Sequence, residues 1–415
     1  MSERYLCIRN FSGGFGERIS EWERNLTANI HNFRVEKGSL CDLYGVEKIC
    51  ACEGTPLSVL PSPYGEHEML FCTETGVYAC SVLDGSVEKT VHPNYGTARS
   101  AIGEFRGRSI GVACETGVYI CTALGEILEL SSRPAQDICF LGGRWFFLSE
   151  GSLFMTKPYS LELEAEGEIV AGTMGEVSRC FTSQGKVLLL SRRAVYVLSG
   201  SSPEDFTLTV VPLLKSAFPE SAAADCEGLY FLTARSLVRY VGGKIEEYPL
   251  PGGETVALPA GGAAVGGEYR FFFQGKTQKK EGAFDVEEKT VFLGAGRGIT
   301  FFKEGDGEFY AIYGNSVGKT VNRAVVDGIP LYKFWRSRPT DFGRLSGRKV
   351  LKGASVFAET PGRMVVSSES GSAVVPLGVG NNERRLLLGG ARFTIEISSC
   401  APGSRFVKPV IIFSE

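Results

Sequence analysis

The chain has 415 residues, 43% apolar and 22% charged, with 52 glycines, 11% aromatics and a net charge of −3. This is ordinary for a soluble globular protein, and so much glycine suits many short strands joined by turns and fits poorly with long helices. No stretch approaches the roughly 20 consecutive apolar residues of a membrane helix, so no membrane span is expected.

In chain order, a Gly13-Gly14 turn is followed by Ser20 and Glu23 in capping-box spacing, which predicts a short helix over Glu21–Asn29. Phe33 to Cys41 alternates about Lys37-Gly38 and reads as a hairpin. The proline-rich run Pro56, Pro61, Pro63 reads as a connector, so residues 1–65 form an N-terminal segment. The next stretches carry the organising signal. Glu-Thr-Gly-Val-Tyr-x-Cys occurs around Gly76 and again around Gly117, 41 residues on. Each copy is a meander of short strands, with Asp84-Gly85 predicting a type I′ hairpin turn. Worn copies mark Ser152, Ala194, Ser236, Ala283 and Ser316, at spacings of 35, 42, 42, 47 and 33. A meander cannot bury both of its faces alone, so a period near 40 predicts radial stacking of blades. The expectation is an all-β protein with a β-propeller over 66–333, of about seven blades with six or eight open. A two-sheet sandwich with accidental periodicity is the alternative.

From Phe334 the repeat stops. Trp335 to Gly343 reads as a basic loop, followed by strand-like runs at 349–359, 363–367, 373–377, 385–388, 392–398 and 406–413. These predict an antiparallel β-sandwich-like domain over 334–415, to which the N-terminal hairpin could pair. Residues 331–415 hold 13 basic and 6 acidic residues, against 31 and 41 in the preceding 330. Such asymmetry points to two parts with different partners.

Motifs that look chemical fail on spacing. Gly314 to Thr320 resembles a phosphate loop, but only three residues separate Gly314 from Gly318-Lys319-Thr320 and strand follows where a helix is needed. Gly294, Gly296 and Gly298 lack both the third-glycine spacing and the βαβ setting of a dinucleotide site. The 12 cysteines fall largely in predicted strands, and reduced thiols are expected. There is no C-x-x-C, and His31, His67 and His92 form no ligand pair, so neither metal nor cofactor is expected. With no nucleophile elbow either, no catalytic residue is assigned. The chain is read as not an enzyme, although channel carboxylates from distant blades would leave a propeller hydrolase or lyase open.

The cluster Lys333, Arg336, Arg338, Arg344, Arg348, Lys349 and Lys352 is interleaved with Tyr332, Phe334, Trp335 and Phe342. Basic and aromatic residues together suit a protein interface, nucleic-acid backbone contact or a solvated loop. The residues assigned to assembly are Trp335, Arg336, Arg338 and Phe342, with Trp22 as a second anchor.

The two ends also carry a resemblance. Phe11-Ser-Gly13-Gly14-Phe15, then Asn25, Asn29, Asn32-Phe-Arg34, Gly38-Ser-Leu40 and Gly45, resembles the opening of tailed-bacteriophage and prophage structural proteins of the tail-nozzle or head–tail stabilisation class. Thr340-Asp-Phe-Gly343 with Arg348-Lys349 resembles a segment that follows the propeller there. The arginine of that class after Gly38 is replaced here by Cys41 or Asp42. The resemblance implies a virion protein, assembled in the host cytoplasm into a homo-oligomeric ring (often six copies) with other phage structural proteins. It also implies non-specific contact with DNA in a central passage. A cytosolic propeller used as an interaction scaffold is the rival expectation.

Overall fold

The computed structural model of the chain describes residues 3–7, 27–164, 169–170, 176–258, 261–287, 289–295, 299–305, 307–340 and 347–414. Six four-stranded antiparallel sheets follow one another over 56–89, 99–131, 137–170, 177–212, 217–249 and 262–295. A seventh is built from Ile299–Gly305, Glu308–Tyr313 and Ser316–Val321 and receives its fourth strand, Gly45–Ala51, from the other end of the chain. The inner strand of each sheet touches that of the next, and the seventh touches the first. This is a seven-bladed β-propeller closed by an N-terminal strand.

Closure corrects two boundaries. The proline-rich run taken as a connector is the inner strand of blade 1, Pro56–Pro61. The blade-7 strand at 45–51 lies inside the expected N-terminal segment. The hairpin at Lys37-Gly38 is not a blade, though it turns as expected, with φ of 49° and 77°. At Asp84-Gly85 only the glycine has positive φ (75°), so the expected type I′ turn is absent there.

The repeat marker has a simple structural meaning. Gly76, Gly117, Ser152, Ala194, Ser236 and Ser316 each begin the third strand of a blade. Ala283 does not. Blade 6 starts its third strand at Lys279, so the outlying spacings of 47 and 33 came from a misplaced marker. The turn before the marker is also conserved in chemistry among blades. Thr73 Oγ1, Ser191 Oγ and Thr233 Oγ1 donate to the carbonyls of Gly76, Ala194 and Ser236, and Cys114 Sγ does the same to Gly117. Cys114 therefore stands in for a hydroxyl residue.

Six of the seven seams between blades are separate apolar clusters. Between blades 2 and 3 the buried Trp145 ring lies over Gly103 and Gly111, where an added Cβ would come within 2.5 and 2.6 Å of ring or neighbouring carbon atoms. At the seam between blades 7 and 1, Cys50 and Cys80 are joined as a disulfide. This corrects the expectation of wholly reduced cysteines. The partners are 30 residues apart, one on the outer strand of blade 7 and one on the third strand of blade 1.

The rest of the chain forms a two-sheet sandwich. One sheet runs in the order Phe33–Glu36, Ser39–Asp42, Arg405–Ser414, Lys349–Ala358, Gly380–Gly390, with Glu3–Cys7 also paired to Arg405–Ser414. The other runs Thr27–His31, Lys333–Ser337, Phe393–Ser399, Gly362–Ser368, Gly371–Leu377. The C-terminal strands match the expected runs, and the N-terminal hairpin does pair with them. Two expectations fail here. Lys333–Ser337 is a strand, not a loop, and Thr27–His31 is a strand where the predicted helix was to end. The helix's other residues, 21–26, lie outside the described residues. At the seam of blades 6 and 7 the sandwich joins the propeller core, with Phe292 and Phe309 in the same cluster as Phe33, Trp335 and Phe406.

Candidate functional site

The expected assembly residues separate according to strand alternation. In Lys333–Ser337 successive side chains point to opposite faces of the sheet. Trp335 points inward and is fully buried, in a row that reads Ile30, Trp335, Ile397, Met364, Val375 across five strands. The assignment of Trp335 to an accessible interface is therefore corrected: it is a core residue of the sandwich. Arg336 and Arg338 are exposed. Arg336 donates to Glu396 Oε2 through Nε (2.9 Å) and Nη2 (2.6 Å) and lies 5.9 Å from the Phe334 ring centroid. Phe334 stacks on His31 at 5.7 Å and neighbours Tyr332 at 6.0 Å, and the Tyr332 carbonyl accepts from Asn32 Nδ2. The outer face of this sheet thus carries a basic and aromatic patch. Phe342, Trp22 and Arg344 lie outside the described residues.

Two lysines of the basic cluster are not on the surface. Lys333 and Lys349 are 0% and 1% exposed. Lys333 reaches Asp42 Oδ1 at 2.5 Å and also donates to the Ala401 carbonyl. Asp42 further accepts from the backbone N–H of Ala324 (2.7 Å), Gly403 (2.8 Å) and Ser404 (3.0 Å). One carboxylate thus ties together the N-terminal hairpin, the exit from blade 7, the linking strand and the C-terminal turn. Burial pulls the Lys333 ammonium below its ordinary range, against the upward pull of Asp42. Nothing in the sequence around Asp42 signals this role, because its partners lie 282 to 362 residues further along the chain.

A second charged group was not anticipated at all. Arg99, Asp137 and Arg179 lie at or near the start of the inner strands of blades 2, 3 and 4 and face one cavity of about 390 Å³ in the propeller channel. Arg179 Nε donates to Asp137 Oδ2 (2.7 Å), Nη1 donates to the Pro219 carbonyl (3.2 Å), and the guanidinium sits 4.7 Å from the Phe181 ring centroid. Asp137 also accepts from the N–H of Cys180 and of Ile138. The signal that could have found this group is its spacing of 38 and 42 residues, close to the blade period. The marker followed in the sequence belonged to third strands, not inner ones.

The third group joins blades 1 and 2. His92, buried at 6% exposure, contacts Tyr64 Oη through Nε2 (3.2 Å) and Tyr95 Oη through Nδ1 (3.1 Å), and Tyr95 Oη meets Cys121 Sγ at 3.2 Å. A Cys–His pair suggests a nucleophile, but burial pushes the Cys121 thiol up to about 11 and Cys121 is 0% exposed. The thiolate is scarce and out of reach. Burial also lowers the His92 pKa, and burial followed by the Lys280 charge lowers that of His31. Both rings bind protons more weakly folded than unfolded. Their stabilisation is full above the ordinary value of about 6.5 and is lost as pH falls through the lower folded values. Thermal melts should therefore shift downward between pH 7.5 and pH 5, and His92→Gln should shrink that shift. An unchanged shift in the variant would remove His92 from this account.

The run Gly314 to Thr320, rejected as a phosphate loop on its spacing, forms the hairpin turn between Glu308–Tyr313 and Ser316–Val321 and most of the second strand, with Lys319 paired to Glu308 at 3.2 Å. Among the described residues, no group of three or more His, Cys, Asp or Glu is placed to hold a metal ion.

These features define an all-β protein in which a seven-bladed propeller carries a fused β-sandwich made from both ends of the chain. Among solved structures it is similar to the extracellular domain of a protein described as a hybrid two-component system from B. thetaiotaomicron. The identity is 10% and the TM-score 0.50, over 84% of this chain and 49% of that one. It is also similar to the Neurospora crassa Pan2 WD40 domain, at 10% identity and TM-score 0.49, over 67% of this chain and 95% of that one. The chain spans about half the length of the first of these. At such identities the likeness concerns the fold alone. No family model and no curated protein matches the chain.

Proposed function

We propose that the protein is a non-enzymatic structural subunit that assembles through protein–protein contacts, of the tailed-phage or prophage tail-nozzle or head–tail stabilisation kind that its opening residues resemble. The observation that carries this reading is the fusion of the two parts through one apolar core, with the outer sandwich face left exposed. That face bears Arg336, Arg338 and the half-exposed Tyr332 beside Phe334, a residue mixture favoured at interface anchors. At the edge of the other sheet, Gly380–Gly390 is an 11-residue strand with Leu387 82% exposed, which offers its backbone for pairing with another chain. In a ring of such subunits the surplus of arginine would also meet DNA phosphates without sequence preference.

Light scattering during size exclusion tests the proposal. Concentrated protein, alone or mixed with portal and capsid proteins of the same particle, should elute as a closed oligomer or a mixed complex. Arg336→Ala with Arg338→Ala should weaken that association about tenfold or more while leaving the melting temperature nearly unchanged. A strict monomer under all of these conditions would leave a monomeric scaffold as the better reading.

A further inference from the structure

We propose that the mouth of the propeller channel binds a small molecule through a single oxyanionic group, carboxylate or phosphate, held between Arg99 and Arg179. The cavity contains two guanidinium groups and one carboxylate, and the carboxylate is spoken for. Asp137 is 4% exposed at its side chain and accepts three hydrogen bonds, from Arg179 Nε and the N–H groups of Cys180 and Ile138. Arg179 spends Nε and Nη1 on protein acceptors and has Nη2 left. Arg99 makes no hydrogen bond or ion pair with any described residue, although it lines the same cavity. The Arg179 charge, then burial, lowers its pKa to about 10. Glu220, the other carboxylate Arg99 feels, is exposed and outside the cavity lining. An unpaired guanidinium held beside a second one is costly unless something anionic joins them.

The remaining walls describe the rest of the ligand. Ile102, Ile138, Phe140 and Ala222 are among the lining residues, and Ile102 is 47% exposed. A volume of about 390 Å³ falls in the lower part of the range of small-molecule pockets. Ser58, Thr97, Ser100 and Thr182 line the cavity as well, so the fitting ligand is a compact molecule of mixed polarity with one anionic head. The arginine fork suits planar carboxylate and tetrahedral phosphate alike.

Thermal melts and calorimetry on the full chain separate these sources. Inorganic phosphate and benzoate are titrated to about 20 mM against sodium chloride of equal ionic strength. At least one of the two should raise the melting temperature by about 2 °C or more over the chloride control. If benzoate alone does so, the head is a carboxylate; if phosphate alone, it is a phosphate. In Arg99→Met the affinity should fall at least tenfold, and Arg99→Lys should retain part of it. Arg99→Met should also melt no lower than the parent without ligand, because it relieves repulsion with Arg179. No shift with either anion, an equal shift in Arg99→Met, or a drop of several degrees in the unliganded variant would each overturn the proposal.

Discussion

Asp42→Ala is expected to cost about 3–5 kcal/mol of stability, the range for removing one partner from a buried ion pair. The charge of Lys333 would remain at 0% exposure, with only the Ala401 carbonyl of its present acceptors left to it. The N–H groups of Ala324, Gly403 and Ser404 would lose their acceptor at the same time, each a further source of cost where water cannot reach. Because these groups come from four separate parts of the chain, the loss should also show in cooperativity. With Trp22 replaced by Phe, and either Trp145 or Trp335 also replaced by Phe, the remaining indole reports on the sandwich or on the propeller alone. In the parent protein both should unfold in one urea transition; in Asp42→Ala the sandwich should unfold first. Lys333→Met in the Asp42→Ala background should recover part of the loss, since an apolar side chain tolerates the site better than an unpaired ammonium. A double-mutant cycle should give a coupling of about 2 kcal/mol. Simple additivity would mean that the two residues do not act as a pair.

The same residues explain how far the sequence could be read. The period near 40 was legible because six of seven blades place a small residue at the start of the third strand, and in four of them a preceding hydroxyl or thiol closes the turn. It blurred in blade 6 because Ala283 sits within Lys279–Asp285 and mimics the marker. What the sequence could not supply was anything depending on closure. Gly45–Ala51 completes a blade whose other strands lie more than 240 residues away, and its Cys50 pairs with Cys80 of blade 1. Asp42 and Lys333 are 291 residues apart, and Arg99 and Arg179 come from blades 2 and 4. Local pattern reports which face of a strand is buried, but not which distant strand will cover it. Within Lys333–Ser337 even that local reading was overridden. A tryptophan among arginines reads as a surface anchor, whereas the period of two already places residues 335 and 337 opposite 334, 336 and 338.

That alternation makes the last expectation a sharp one. Trp335→Ala removes the largest side chain from an inward row whose members in neighbouring strands are Ile30 and Ile397, and it should cost about 3–5 kcal/mol through lost burial and the cavity left behind. Trp335→Phe keeps most of the apolar surface and should cost roughly half as much. Arg336→Ala, one residue along, gives up a pair whose arginine is 54% exposed and should cost under about 1 kcal/mol. Urea melts of the three variants are therefore ordered by the face each side chain occupies, not by its chemical prominence in the sequence. If Trp335→Ala proved as stable as the parent yet failed to assemble, the indole would have to be reachable by a partner, and the sandwich packing described above would be wrong at its centre. If Arg336→Ala lowers association while Trp335→Ala lowers stability, the two roles that sequence had merged in one cluster separate cleanly. Any assembly defect of Trp335→Ala is then a consequence of unfolding.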